Sequence, residues 1–203
     1  MFETEARARR RLSELAFMSP RDIGLFLRSA RTDAVIMQER QRLGNASAFD
    51  AAYARGDPWA SGDPRYLYQR RKYDALLRLL PDERYGRVLD LGAGVGHFTR
   101  RLASRSDDVV GVDIAQSAVD QARQLHADIP NLEFLRGDIL ALPELLDGGF
   151  DLVVIADTIY YLPPPIEDWM LKAVATRTAR LLRPGGLLLL CNHFFFLPTA
   201  TAD

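Results

Sequence analysis

A short apolar run that breaks into three regularly spaced glycines constrains this chain more than any other feature. Residues 88–99 read Val-Leu-Asp-Leu-Gly-Ala-Gly-Val-Gly-His-Phe-Thr, and an amphipathic run follows. The pattern predicts a strand, a tight turn and a helix. Glycine permits the positive φ of such a turn and the close approach of a ligand. The N-terminus of the helix offers free N–H groups to polar or anionic ligand groups.

The spacing of the glycines distinguishes between classes of cofactor. The dinucleotide fingerprint is G-x-G-x-x-G. Counted from Gly92, its third glycine would fall on position 97, which is His97. The chain instead carries D-x-G-x-G-x-G, which begins at Asp90. Taken alone, this loop is also compatible with a structural turn that binds nothing.

Three later segments follow at the spacing of an alternating α/β chain. A second predicted strand, 109–113, ends in Asp113, about 20 residues after the glycine loop, where doubly wound folds place a carboxylate on a ribose. A third, 132–136, is followed by Gly137 and Asp138. Later, an Arg-Pro-Gly-Gly turn precedes a run of four leucines. Four matches in order favour a cofactor-binding domain over four unrelated loops.

These motifs together resemble the class I S-adenosylmethionine-dependent methyltransferases. The resemblance implies S-adenosylmethionine as cofactor, with Asp113 on the ribose, Asp138 on the adenine amino group and the Ile139 N–H on a ring nitrogen. The cofactor-binding residues that we expect are Trp59, Tyr68, Lys72, Asp90, Gly92, Gly94, Gly96, Asp113, Ile114, Asp138, Ile139 and Ala156. No His, Cys or Asp cluster has metal-ligand spacing, so we expect no metal.

Four further pieces narrow the resemblance. Asp-Pro-Trp at 57–59, Tyr-Gln-Arg-Arg-Lys-Tyr at 68–73, the segment 157–162 and His193 resemble the nodulation-factor N-methyltransferases, over roughly 49–196. Those enzymes methylate an amine of a chitooligosaccharide. This chain has Asp157 where they usually have Glu, more glycines in its loop, and long N-terminal helices outside the pattern. The resemblance therefore implies amine methylation more than that particular substrate.

Candidate catalytic residues follow the fourth and fifth predicted strands, where open α/β sheets bind ligands. In-line methyl transfer needs a neutral, well-positioned nucleophile, which a nearby base can supply. The candidates are Asp157, Tyr161 and His193, with Tyr160 beside them. The alternatives are a cap for Asp157 and a strand-end hydrogen bond for His193.

The predicted fold is α/β, a doubly wound, mostly parallel, Rossmann-like sheet with an N-terminal helical extension. We assign residues 1–45 to the extension and 46–203 to the cofactor-binding domain. Its segment 49–73 is a lid over the cofactor, or else Trp59 packs on the body of the fold. Only 193–203 follow the fifth strand, so we expect the family's terminal strand hairpin to be missing: either the chain is truncated or its sheet is short. The predicted helices lie at about 20–42, 64–80, 97–105, 116–127 and 163–182, and the predicted strands at 87–91, 109–113, 132–136, 150–156 and 187–192. The stretch 45–63 is expected to be irregular. We expect His126 to lie at the surface.

Composition limits the classes of partner. The 203 residues carry 26 Lys and Arg against 27 Asp and Glu, so no overall charge draws the chain to nucleic acid or a membrane. One cysteine, Cys191, excludes an internal disulfide. We expect a soluble, cytoplasmic enzyme with a small-molecule acceptor, and the sequence leaves its oligomeric state open. The alternatives are an RNA or protein methyltransferase, or an inactive S-adenosylmethionine-binding partner protein.

Overall fold

The computed structural model describes residues 19–192. Its strands are β1 (Tyr85–Leu91), β2 (Ser106–Asp113), β3 (Leu132–Arg136), β4 (Phe150–Ala156) and β5 (Leu182–Cys191). Its helices are α1 (Pro20–Leu43), α2 (Asn45–Tyr53), α3 (Leu67–Leu79), α4 (His97–Ala103), α5 (Gln116–Leu125) and α6 (Asp168–Leu181). Two short 3-10 turns lie at Glu144–Leu146 and Ile159–Tyr161.

The strands form one sheet in the order β3-β2-β1-β4-β5, and every neighbouring pair is parallel. The chain runs outward from β1 to β3 and then returns to the other side of β1. The strand order thus reverses between β1 and β4, and a crevice opens there at the carboxyl ends of the strands. This arrangement confirms the predicted doubly wound fold. Within residues 19–192, β5 forms one edge of the sheet.

Helices cover both faces of the sheet because side chains alternate along each strand. On β1, Val88 packs in one cluster with Leu76 of α3 and Phe98 of α4. Its neighbour Leu89 packs on the opposite face, in a cluster that includes Leu181 of α6. The apolar residues on both sides fix β1 at the centre of the fold and direct its carboxyl end into the crevice.

Helix α1 is tied to the sheet domain at both of its ends. At its start, the Ser19 hydroxyl donates to Asp22 Oδ2 (2.6 Å), and Asp22 Oδ1 accepts from the Tyr68 N–H (3.1 Å) at the start of α3. Near its end, Arg40 is 7% exposed and donates to the carbonyl oxygens of Tyr161 (2.8 Å) and Leu162 (2.6 Å). These contacts join the described part of the N-terminal extension to α3 and to the segment that follows β4.

Several sequence expectations were wrong. The stretch 45–63 was expected to be irregular, but 45–53 forms α2, because Ala48, Phe49 and Tyr53 give it an apolar face that packs in the core. His126 was expected at the surface, but it is 3% exposed: its Nε2 lies 3.0 Å from the Val95 carbonyl oxygen. Strand β5 begins at Leu182 and not at 187, so it includes the predicted Arg-Pro-Gly-Gly turn, and α6 begins at Asp168 and not at 163. The other strands and helices lie close to their predicted positions.

The third glycine of the loop makes a test of packing. Gly96 has φ +81, and a Cβ there would lie 2.3 Å from Phe134 Cζ. Gly185 has nearly the same φ, +80, but a Cβ there would meet nothing within 4 Å. Left-handed backbone costs an alanine about 1–2 kcal/mol at either site, and overpacking adds about 1–3 kcal/mol at Gly96 alone.

We therefore expect Gly96→Ala to lower the free energy of unfolding by about 1–3 kcal/mol more than Gly185→Ala does. Urea unfolding of both variants measures the difference. Equal losses would show that Gly96 is required for its backbone conformation alone.

Candidate active site

A cavity occupies the crevice at the carboxyl ends of β1, β2 and β4. Most of the residues predicted to form the site line it, although they come from six separate segments of the chain. They are Trp59, Lys72, Asp90, Gly92, Gly94, Asp113, Ile114, Asp138, Ile139, Ala156, Asp157 and Tyr161.

Two predicted site residues within 19–192 are not part of this lining. Tyr68 packs edge-on against Phe26 of α1, with ring centroids 5.1 Å apart. Gly96 contacts the Phe134 ring, so its lack of a side chain serves packing. His193 lies outside the described residues, so its predicted role stays a prediction.

The glycine loop is held by backbone hydrogen bonds to the end of β2. The N–H groups of Gly92 and Ala93 donate to the Val112 carbonyl oxygen (2.8 and 3.0 Å). Gly92 has φ +82, and a Cβ there would lie 2.1 Å from Thr158 Oγ1. At Gly94, a Cβ would lie 2.7 Å from the Tyr53 hydroxyl. These two glycines let the loop approach both neighbouring walls of the cavity.

Asp113 at the end of β2 is fixed by the same loop. Its Oδ2 accepts from the Gly94 N–H (2.8 Å) and its Oδ1 from the Ala115 N–H (3.0 Å). Burial raises the pKa of this carboxyl, and the backbone hydrogen bonds oppose the rise. The carboxylate is therefore oriented before any ligand arrives.

Asp90 lies at the base of the cavity and is almost fully buried. Burial raises its pKa to about 6; the charge of Asp113 adds to the rise, and a hydrogen bond from Thr99 opposes it. That bond joins Thr99 Oγ1 to Asp90 Oδ2 at 2.7 Å. The first acid of the glycine motif thus anchors α4 to β1.

A buried ion pair joins a predicted cofactor residue to a predicted catalytic one. Lys72 Nζ on α3 donates to Asp157 Oδ2, and Lys72 is only 8% exposed. The same ammonium lies 5.1 Å from the centroid of the Tyr73 ring. Asp157 has φ +56, and its N–H donates to the Cys191 carbonyl oxygen (2.7 Å). Strained backbone of this kind is often found at functional sites.

Five aromatic side chains form a second wall of the cavity, which we call the aromatic wall: Phe49, Tyr53, Trp59, Tyr160 and Tyr161. Tyr161 is central, with ring centroids 5.2 Å from Phe49, 5.6 Å from Trp59 and 4.4 Å from Tyr160. Burial raises the pKa of Tyr160 and of Tyr161, so both phenols stay neutral. The Trp59 ring both packs against Tyr161 and lines the cavity.

The loop that carries Trp59 is organised by Asp57. Its carboxylate accepts from the N–H of Trp59 (3.0 Å) and from the hydroxyl of Ser61 (2.7 Å). Next to it, Gly62 lies against the His97 ring at the start of α4, where a Cβ would fall 2.0 Å from Nε2. This segment is thus packed directly beside the glycine loop.

Sequence reasoning missed several lining residues, among them Asn45, Tyr53, Ser61, Gln69 and Thr158. Tyr53 was hidden by the irregular structure expected for α2. Thr158 follows the predicted fourth strand, but a single threonine gives no functional signal. Its Oγ1 donates toward the carbonyl oxygens of Leu91 (3.1 Å) and Ala156 (3.0 Å), which joins the ends of β1 and β4.

Over residues 19–192, no group of three or more His, Cys, Asp and Glu side chains could hold a metal ion. None of the helices in that range is long and apolar enough to cross a membrane.

This geometry, a doubly wound sheet with a glycine loop after β1 and an acid after β2, defines a nucleoside-cofactor fold. Residues 88–186 match the family model described as a methyltransferase domain. The chain belongs to the class I S-adenosylmethionine-dependent methyltransferases, a family whose cofactor is S-adenosylmethionine.

Solved structures and curated relatives that are similar to this chain are also methyltransferases. The N-methyltransferase NodS from Bradyrhizobium japonicum, solved with S-adenosyl-L-homocysteine, has a TM-score of 0.63 and 26% identity over 72% of this chain and 71% of that one. Nodulation protein S of Rhizobium tropici is 26% identical over 79% of this chain and 63% of its own length. Trans-aconitate 2-methyltransferase of Deinococcus radiodurans is 34% identical over 63% of this chain. The chain spans about half the length of that relative, 48%.

The buried Asp90 gives a test by pH. Because its pKa in the folded protein is about 6, above the ordinary 3.8, the folded state binds the proton more tightly than the unfolded state does. Its contribution to stability is therefore largest below pH 3.8 and is lost as the pH rises to about 6.

Asp90→Asn keeps the acceptor for Thr99 and removes this titration. We expect its unfolding free energy, relative to wild type, to rise by about 2 kcal/mol between pH 4 and pH 7. Urea unfolding across that range measures it. A constant difference between the two proteins would contradict the burial of an ionisable carboxyl.

Proposed function

We propose that this protein transfers the methyl group of S-adenosylmethionine to an amine of a small molecule. The observation that supports an amine is the charge of the cavity. Five carboxylates line it, and Lys72 is the one cation among its described lining residues. The carboxylates belong to Asp57, Asp90, Asp113, Asp138 and Asp157.

An excess of carboxylates favours cationic ligands. Two unit charges about 6 Å apart interact by about 3 kcal/mol at an effective dielectric of about 20. An ammonium group and a sulfonium are both attracted in such a cavity, whereas a carboxylate acceptor is repelled. Trans-aconitate and malonyl-[acyl-carrier protein], acceptors in the names of two relatives, are therefore disfavoured here. The amine chemistry in the names of NodS and phosphoethanolamine N-methyltransferase agrees with the cavity.

The residues around the glycine loop fit S-adenosylmethionine. We assign Asp113 to the ribose hydroxyls, because its carboxylate is already oriented at the end of β2. Asp138 and Ile139 at the cavity rim are assigned to adenine. We assign the methionine portion to the part of the cavity that Gly92, Gly94 and Lys72 line. Trp59, Ile114 and Ala156 line the same space, and Tyr68 supports Lys72 from behind.

The bound cofactor would supply an activated methyl group on sulfur. The chain's own part is to hold the amine in line with that methyl and to exclude water. Asp157 is the lining acid at the end of β4, where it can orient the amine and accept its proton. The Tyr161 hydroxyl donates to Asp33 Oδ1 at 2.6 Å, which favours a role in shaping the wall over proton transfer. His193 remains a second candidate base.

The segment 49–73 is proposed as a lid of the domain that we assign to 46–203. It carries Phe49, Tyr53, Trp59 and Lys72, which together cover the cavity. Hydrogen exchange in this segment should slow when S-adenosylhomocysteine is added, while exchange in α6 should not. Equal exchange with and without ligand would make the segment a fixed part of the fold.

Transfer of labelled methyl from S-adenosylmethionine tests the proposal directly. The purified protein is offered separate pools of amines, of neutral sugars and other alcohols, of carboxylic acids, of tRNA and of protein. Label in amines supports the proposal. Label in tRNA or protein alone would replace it with the corresponding macromolecular activity. Cofactor binding without transfer to any pool would indicate an inactive cofactor-binding protein.

Removal of the Asp113 carboxylate should weaken cofactor binding. Two charge-assisted hydrogen bonds to ribose, partly offset by rehydration, correspond to about 2–3 kcal/mol. Calorimetry with S-adenosylhomocysteine should therefore show a rise in Kd of about 30- to 150-fold for Asp113→Ala. The matched control is Asp120→Ala on the exposed side of α5, which should bind like wild type. An unchanged Kd in folded Asp113→Ala would refute the ribose assignment.

Asp157→Asn tests the acid at the end of β4. Turnover with the identified amine should fall by about 10²–10⁴, the usual scale for acid–base catalysis. We expect His193→Ala to act in the same direction. The ion pair means that Asp157→Asn also changes the surroundings of Lys72, so Lys72→Met and the double variant complete a cycle.

The cycle separates the two roles. If Asp157 acts on the acceptor, its substitution changes kcat with little effect on the Kd for S-adenosylhomocysteine, and Lys72→Met changes mainly that Kd. Wild-type turnover in folded Asp157→Asn would refute the assignment of a base.

A further inference from the structure

Helix α1 places one carboxylate behind the aromatic wall. Asp33 Oδ1 accepts from the Tyr161 hydroxyl at 2.6 Å and lies 3.4 Å from the Trp59 Nε1. These two partners are 128 and 26 residues away along the chain. One oxygen atom thus links the polar ends of the two aromatic side chains.

The rest of the same helix face also contacts the wall. Ile36 is 1% exposed and packs in the cluster that includes Phe49 and Tyr53. Arg40, seven residues and two turns after Asp33, donates to the Tyr161 carbonyl and lies 6.0 Å over the Phe49 ring. Positions 33, 36 and 40 therefore form a single stripe that faces the cavity wall.

The chemistry of the contact gives Asp33 its role. An indole N–H or a phenol O–H that is buried without a partner costs free energy, and both groups find their partner in Asp33. A carboxylate acceptor gives the stronger, charge-assisted kind of hydrogen bond. Its negative charge behind the rings also suits a wall that faces a cation.

We propose that Asp33 is a positioning residue, which holds Trp59 and Tyr161 in place over the cavity. Helix α1 lies outside both the matched residues 88–186 and the region of family resemblance. Helix α1 nevertheless supports two side chains of the aromatic wall through Asp33. The proposal rests on the proposed function only in identifying this cavity as the place of methyl transfer.

Fluorescence of Trp59 in the ligand-free protein tests the positioning role. The chain has two tryptophans, and Trp169→Phe leaves Trp59 as the single emitter. In that background, Asp33→Ala should raise acrylamide quenching of Trp59 by about twofold or more, because the ring loses its anchor. Asp33→Asn keeps an acceptor oxygen and should restore most of the protection.

The control is Leu25→Ala, which truncates a buried side chain of α1 eight positions before Asp33. It should lower Tm while Trp59 quenching stays at the wild-type level. Wild-type quenching in Asp33→Ala, or an equal rise in Leu25→Ala, overturns the positioning role. If Asp33→Ala does not fold, Asp33→Ser, whose hydroxyl is too short to serve both rings, makes the same comparison.

A second arm separates this proposal from the proposed function. Titration with S-adenosylhomocysteine should change Trp59 emission in the Trp169→Phe protein, and adding Asp33→Ala should abolish that response while Asp33→Asn and Leu25→Ala keep it. If the wild-type protein does not bind S-adenosylhomocysteine, the proposed function fails, and the quenching comparison still decides the role of Asp33.

Discussion

The reversal of strand order beside β1 is the constraint on which the site depends. Because β1 pairs with β2 on one side and with β4 on the other, the connections that follow these strands diverge and leave a crevice between them. The Thr158 hydroxyl then joins the last carbonyls of β1 and β4 across its floor. Every lining group after a strand end owes its position to this arrangement.

Within that frame, the buried Lys72–Asp157 pair connects two halves of the site. The lysine comes from α3, before the sheet begins, and the acid from the end of β4. A buried pair contributes little net stability, but loss of one partner leaves an uncompensated charge and costs about 3–5 kcal/mol. A substitution at Lys72 therefore also changes the surroundings of Asp157, and the reverse, so the two residues have to be compared as a pair.

The sequence predicted the positions of strands, and of site residues that directly follow a strand, better than it predicted contacts between distant segments. Strands β3 and β4 were located to the residue, and the acids at strand ends were singled out by position together with the family resemblance. Helix α2 was missed because Gly44-Asn45 and a run of small residues look like a loop. Asp33 could not be found at all. Its partners lie 26 and 128 residues away, and only the packing of α1 brings them together.

The backbone of Asp157 has a consequence for how this site can diversify. With φ +56, the position is open to glycine, asparagine and aspartate and strained for longer or branched side chains. A chain with this loop geometry is restricted to the shorter acid or to loss of the charge. New acceptor preferences would therefore arise more readily in the aromatic wall, where neighbouring rings can be exchanged one at a time without disturbing the main chain.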